Sequence, residues 1–163
     1  MKKKILLALT LVMALIVSPF ISTACAKPQL VSGSIVVIET GIPEFKQSGQ
    51  SDNAILKFDF TEEWSGDIEG VGSGVTTWIS HGIPFVTPGW TINTYEKLEF
   101  SAEIQGKTGT VVMQIVLFSD ETGGSGHWTI QSGTGDLENL HGQGTISLST
   151  IPYSYTGQVN FNP

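Results

Sequence analysis

Glu62 is the residue whose type and spacing most invite chemistry. It alternates at period two with Phe58, Phe60 and Trp64, so an extended backbone places all four side chains on one face. Lys57, Asp59, Thr61 and Glu63 fall on the other face. A carboxyl among aromatic rings loses hydration, its pKa rises, and it becomes fit for acid or base work near neutral pH. A plainer reading stays open, in which Glu62 reaches water near the strand's end or at a bulge. Glu69 carries the same two readings. Gln114, between Val112 and Val116, either orients a carbonyl ligand or satisfies a backbone group. Trp64, Trp78 and Trp128 read as core or pocket lining. With Phe58, Phe60 and Gln114 they form the candidate ligand-binding set.

Other chemistries lack their residues. His81, His127 and His141 have none of the close spacings that bring two imidazoles to one metal, so no metal site is expected. Serine, histidine and aspartate are all present, yet no G-x-S-x-G elbow is, so a hydrolase triad would have to be assembled wholly by the fold. The run Ser132-Gly-Thr-Gly-Asp136 offers backbone N–H groups, but no Lys-Ser or Lys-Thr follows and no useful helix begins there. It reads as a tight turn and a short helical turn near residues 136–140, with Leu137 and Leu140 plugging one end of the fold. No cofactor is expected.

Charge and the N-terminus narrow the setting. Lys2, Lys3 and Lys4 precede an apolar run from Ile5 to Ile16, too short for a comfortable membrane span, and Pro19 ends it. Ala24 and Ala26 fit positions −3 and −1 of a signal-peptidase cut, so residues 1–26 are read as a signal peptide and residues 27–163 as the single mature domain. Cys25 opens a second reading, a lipobox with a lipid-anchored thiol, although Ser22 stands where leucine is usual. As the sole cysteine it allows no disulfide within the domain. Three of the eight basic residues lie in the leader, so five lysines face fifteen acidic residues in the mature chain, a net charge of −10 without an arginine. Nucleic acid and strongly anionic ligands are therefore not expected as partners. The oligomeric state is open.

The elements that must position these residues are strands. After Lys27 no apolar period near 3.6 lasts beyond about two turns, while alternation at period two recurs. Runs over 33–38, 54–64, 68–79, 96–104, 110–118, 127–131, 144–148 and 154–161 predict about eight strands, with the second and third joined as a hairpin through Ser65-Gly66-Asp67. Gly106 to Gly109 and Asp120 to Gly126 read as turns, Gly82 to Gly89 as a loop, and Gln47 to Asn53 as a polar, mobile one. Gly70, Gly72 and Gly74 leave one face of the third run bare, where a neighbour can come close. Short connections favour an all-β, closed antiparallel barrel over a sandwich with long crossovers.

The run from Gly126 to Gly144, GHWTIQSGTGDLENLHGQG, is similar to the signature of a family of uncharacterised, mostly bacterial proteins with the allene-oxide-cyclase-like barrel. FTEEWSGDIEG from Phe60, GKTGTVVMQ from Gly106 and Tyr155 to Phe161 extend the likeness over most of the mature chain. The Gly-rich run also resembles one in plant dirigent proteins, which share that barrel. The resemblance implies the fold. It implies no agreed activity, although structural relatives cyclise a fatty-acid epoxide or steer radical coupling inside the barrel. The family commonly has His after the glutamine of the fifth strand, where this chain has Ile115, and the loop from His81 to Gly89 departs from the family's usual shape.

Three functions follow as expectations. One is an exported, lipocalin-like barrel that binds a small, mainly apolar molecule. A second is a cyclase or isomerase using Glu62 or Glu69. A third is a packed domain without a ligand. The protein is expected to be secreted or periplasmic, or else a cell-surface lipoprotein through Cys25. Because Ala24 and Ala26 fit cleavage better than Ser22 fits a lipobox, the mature chain is predicted to begin at Lys27. Intact-mass measurement checks this, and a diacylglyceryl group on Cys25 would contradict it.

Overall fold

The computed structural model describes residues 27–47 and 52–161. The leader with Cys25, and most of the polar segment between Gln47 and Asn53, lie outside the described residues. The chain forms β1 (Gln29–Thr40), β2 (Glu44–Gln47), β3 (Ala54–Gly66), β4 (Ile68–His81), β5 (Thr91–Ile104), β6 (Lys107–Asp120), β7 (Gly123–Gly133), β8 (Leu140–Ser147) and β9 (Tyr153–Phe161). One 3₁₀ turn, Gly135–Leu137, sits between β7 and β8. From β3 to β9 each strand pairs antiparallel with the next, as a meander does. The ring closes because β1 pairs with β9 on one side and with β3 on the other.

The strand count exceeds the sequence reading by one, with a simple cause. β1 accompanies β3 only over Phe60–Gly66, and β2 takes the same flank over Ala54–Lys57. The two share one of eight positions around the ring. β2 has only four residues, all exposed, and too short an alternation to register in the sequence. The β5–β6 connection is also tighter than expected: Ile104 pairs with Lys107, and Gln105 and Gly106 both take positive φ, as a two-residue hairpin loop of type I′ requires.

Period two sorts the side chains. On β3 Ala54, Phe58, Phe60, Glu62 and Trp64 are buried, whereas Lys57, Asp59 and Glu63 are exposed. The end of the barrel near the β3–β4 turn is solidly filled. Trp64 stacks on Phe100 with ring centroids 6.0 Å apart and meets Tyr155 at 4.8 Å and Trp128, edge on, at 6.3 Å. The Tyr155 hydroxyl accepts from Ile68 N at 2.8 Å and donates to Ile68 O. Leu137 and Leu140 are buried in this cluster, and the 3₁₀ turn places them there.

These rings fit because the neighbouring wall lacks side chains. Gly144 and Gly157 are paired across β8 and β9, and a Cβ on either would collide with the Trp128 indole. Gly72 on β4 likewise leaves room for Phe100 on β5. The bare face read from Gly70, Gly72 and Gly74 is thus occupied by β5, with Phe100 over Gly70 and Gly72 and the backbone of Lys97 and Leu98 over Gly74. Phe60 retains 4 % of its surface within this cluster, so Phe60→Ala is predicted to cost about 3–5 kcal/mol through cavity formation. Lys57→Ala, on the outer face, should cost less than about 0.5 kcal/mol. Urea unfolding of the two variants checks the contrast; equal small losses would contradict the assigned strand phase.

Candidate functional site

Above the packed end, the inner wall turns polar. Glu62 is buried, with 4 % of its surface exposed, and its Oε1 accepts a 2.6 Å hydrogen bond from Trp64 Nε1. The inward reading of this residue is the one the backbone adopts. Glu96, on β5, lies between the buried Thr94 and Leu98 of the same face, and its cross-strand partners are Thr76 on β4 and Ile115 on β6. Cross-strand partners share a face, so Glu96 points inward with them. Gly72 and Gly74 keep β4 bare of side chains between Glu62 on β3 and the face of β5.

Burial governs both acids. Loss of hydration pushes the Glu62 carboxyl up to about 7, against which the Trp64 hydrogen bond works. Glu96 is pushed up to about 8, first by burial and then by the negative charge of Glu62, while the nearby Thr76 hydroxyl pulls the other way. Glu96 nevertheless keeps part of its surface accessible. Thr76, only 2 % exposed, faces Glu96 without making a hydrogen bond of normal geometry, and its Oγ1 is a buried oxygen without a partner. Among the described inward positions of β3 to β6 no lysine or histidine stands opposite these carboxyls.

The open end of the barrel carries a cleft of about 390 Å³. Leu56 pairs with Phe45 on β2 and with Trp78 on β4, which brings the three to one inner layer. Ala54 and Gln47 form the layer above, and Ile83 and Pro84 of the 82–90 loop cover the side. Asp52 and Asn53 stand at the rim. Phe58 lies beneath, its ring edge-on to Trp78 at 5.1 Å. The loop is held by hydrogen bonds from Ile83 N to Thr87 Oγ1 and from Gly89 N to Glu121 Oε1.

The residues singled out in the sequence therefore separate into three places. Trp78 lines the cleft, with Phe58 at its base. Phe60, Trp64 and Trp128 belong to the packed cluster. Gln114 and Glu69 are exposed on the outer wall. Gln114 cannot reach the interior because Met113 and Ile115 hold the inward phase of β6; it lines an outer hollow of about 600 Å³ with Val75, Thr77, Tyr95 and Lys97, and the inward Glu96 borders that hollow only from the strand between Tyr95 and Lys97. Glu69 faces Glu103 across β4 and β5. The histidines are exposed on different strands, and no group of three metal-ligating residues occurs among the described residues. No described helix is long and apolar enough to cross a membrane.

Glu96 and Thr76 were not singled out by the sequence reading. Yet Glu96 shares its phase with Leu98, Phe100, Ala102 and Ile104, the same signal that marked Glu62.

A family described as "Protein of unknown function (DUF3224)" matches residues 33–156. Among solved structures, a DUF3224 protein of unknown function from Shewanella oneidensis MR-1 is similar, with a TM-score of 0.69 and 18% identity over 84% of this chain and 99% of that one. At that identity the likeness carries the fold alone. No curated protein matches the chain.

Both acids bind protons more tightly folded than unfolded, so between about pH 4.5 and pH 8 the folded state holds more protons and stability falls as pH rises. The thermal midpoint is expected to drop by roughly 5–10 °C from about pH 5 to about pH 8. Glu62→Gln and Glu96→Gln should each flatten the slope and stabilise the protein at about pH 8 by on the order of 1–3 kcal/mol. Midpoints that rise with pH, or variants that keep the wild-type slope, would contradict inward carboxyls without a cationic partner.

Proposed function

This chain belongs to DUF3224, a family whose function is unknown, and we propose that it is an exported barrel that holds a small, mainly apolar molecule at its open end. The supporting observation is the cleft lined by Phe45, Ala54, Leu56, Trp78, Ile83 and Pro84. Its size lies in the range of small-molecule sites, and apolar walls with a few polar groups at the rim are what such sites present. The packed aromatic cluster leaves the opposite end of the barrel no room for a ligand, so binding is confined to the mouth. Export rests on the leader read from residues 1–26, and the acidic surface of the mature chain serves solubility.

A second reading is favoured by one observation. Glu62 and Glu96 hold protons near neutral pH, as a general acid must, so a cyclase or isomerase acting on a molecule lodged at the mouth is the alternative. Fold likeness adds nothing to either reading, since one barrel hosts many chemistries.

Native mass spectrometry of protein purified from its own host tests the binding reading. A retained small molecule is expected. Trp78→Ala should weaken its retention by about tenfold through loss of one aromatic wall, whereas Gln114→Ala, on the outer face, should leave it unchanged. Protein that is consistently empty, with a mouth that takes up no apolar probe, would support a packed domain without a ligand.

A further inference from the structure

The walls of the mouth cleft end at Leu56 and Trp78, and the acids stand deeper in the barrel. Below Trp78 stand two carboxyl groups with no inward cation beside them, and a hydroxyl with no partner. Buried charges are normally paired and buried polar atoms normally bonded; protons offset the two acids at rest, and a bound donor that displaces them takes over that role. That donor has a definite character. Once the carboxyls ionise it must be cationic to offset them, and it must donate hydrogen bonds, because carboxylates accept only and the Thr76 oxygen has lone pairs to offer.

We propose that the molecule held at the mouth bears an ammonium group, its apolar body against Phe45, Leu56 and Trp78 and its protonated amine reaching inward to Glu96, Glu62 and the Thr76 hydroxyl. This deepens the apolar-binding reading and rests on it. An ammonium carries three N–H donors, one for each of the three side chains. Thr76 and Trp78 are two residues apart on one face of β4, about 7 Å along the strand, which a few carbons span. The Trp78 and Phe58 rings pack edge-on to each other at the base of the cleft, and aromatic faces attract cations. Asp52 at the rim and the net charge of −10 on the mature chain draw cations toward the opening. An anionic ligand would add negative charge beside the acids, and a neutral one would leave them in their protonated form.

The arrangement makes binding depend on pH. Glu62 faces the site from β3 and Glu96 from β5, while β4 contributes Thr76 and Trp78, and β6 contributes Met113 and Ile115. Trp128, Ile130 and Ile146 complete the inner face on β7 and β8, and on β9 the Tyr155 phenol is engaged with Ile68 in the packed cluster. The cation requires ionised carboxylate, so its binding expels protons from Glu62 and Glu96. Affinity therefore rises with pH until the amine itself deprotonates.

Calorimetric titration of the purified exported protein with n-octylamine, n-octanol and n-octanoate tests this. At about pH 8 octylamine should bind at least about tenfold tighter than either companion. Its affinity should rise between about pH 5.5 and pH 8, by at most about tenfold per pH unit for each proton released, with proton release visible in buffers of different ionisation enthalpy. Glu96→Gln should abolish the preference for the amine and leave octanol binding unchanged, and Thr76→Val should reduce the preference without abolishing it. Octanol binding as tightly as octylamine at every pH, or an amine preference that survives Glu96→Gln, would overturn the ammonium proposal and leave the apolar site standing. Failure of all three probes to bind would overturn both. Should Glu96→Gln fold poorly, the wild-type comparison across pH decides alone.

Discussion

The pairing of β1 with β3 is the constraint on which everything else in this molecule rests. It turns a meander into a ring, and a ring has a finite interior. Every second residue of every strand must then fit into one shared space. Large rings fit only where the facing wall is bare, which is why Trp128 lies over Gly144 and Gly157 and Phe100 over Gly72. The glycines are spatial partners of aromatics one or two strands away.

The same closure gives two acids their character. On an open sheet Glu62 and Glu96 would reach water past the edge. Within a ring they face each other's strands across a bare stretch of β4; burial keeps protons on both, and at Glu96 the charge of Glu62 adds to it. One end of the barrel is filled by Trp64, Tyr155 and Trp128, the other opens into an apolar cleft, and the acids stand at the transition. A wholly packed barrel would have placed aliphatic side chains there at lower cost in stability.

Much of this was legible in the residues. The alternation from Phe58 to Trp64 marks Glu62 as inward, and eight spaced runs with short turns mark a barrel. Glu96 escaped because its run appeared to begin there; β5 starts five residues earlier, at Thr91, and the buried Thr94 conceals the apolar face. Once the strand is extended, Glu96 sits in its middle third with Leu98 and Phe100 in phase. Gln114 was ambiguous for the opposite reason: in VVMQIV both faces are apolar, and only packing against β5 and β7 selects Met113 and Ile115 as inward. Ile115 stands beside Glu96, so the position at which the resembled family commonly has histidine falls next to the acid. The mouth cleft had no local signature, since Phe45, Leu56 and Trp78 come from three strands and meet only through register.

The central claim is that two carboxyls are held inside the wall without a cationic partner. Site-resolved titration of the glutamate side-chain carboxyl carbons by ¹³C NMR, assigned through the Glu62→Gln and Glu96→Gln variants, measures it directly. Two resonances are expected to titrate near pH 7 and pH 8, apart from the remaining carboxyls. Titration of both groups near the ordinary glutamate value of about 4.3 would contradict the account.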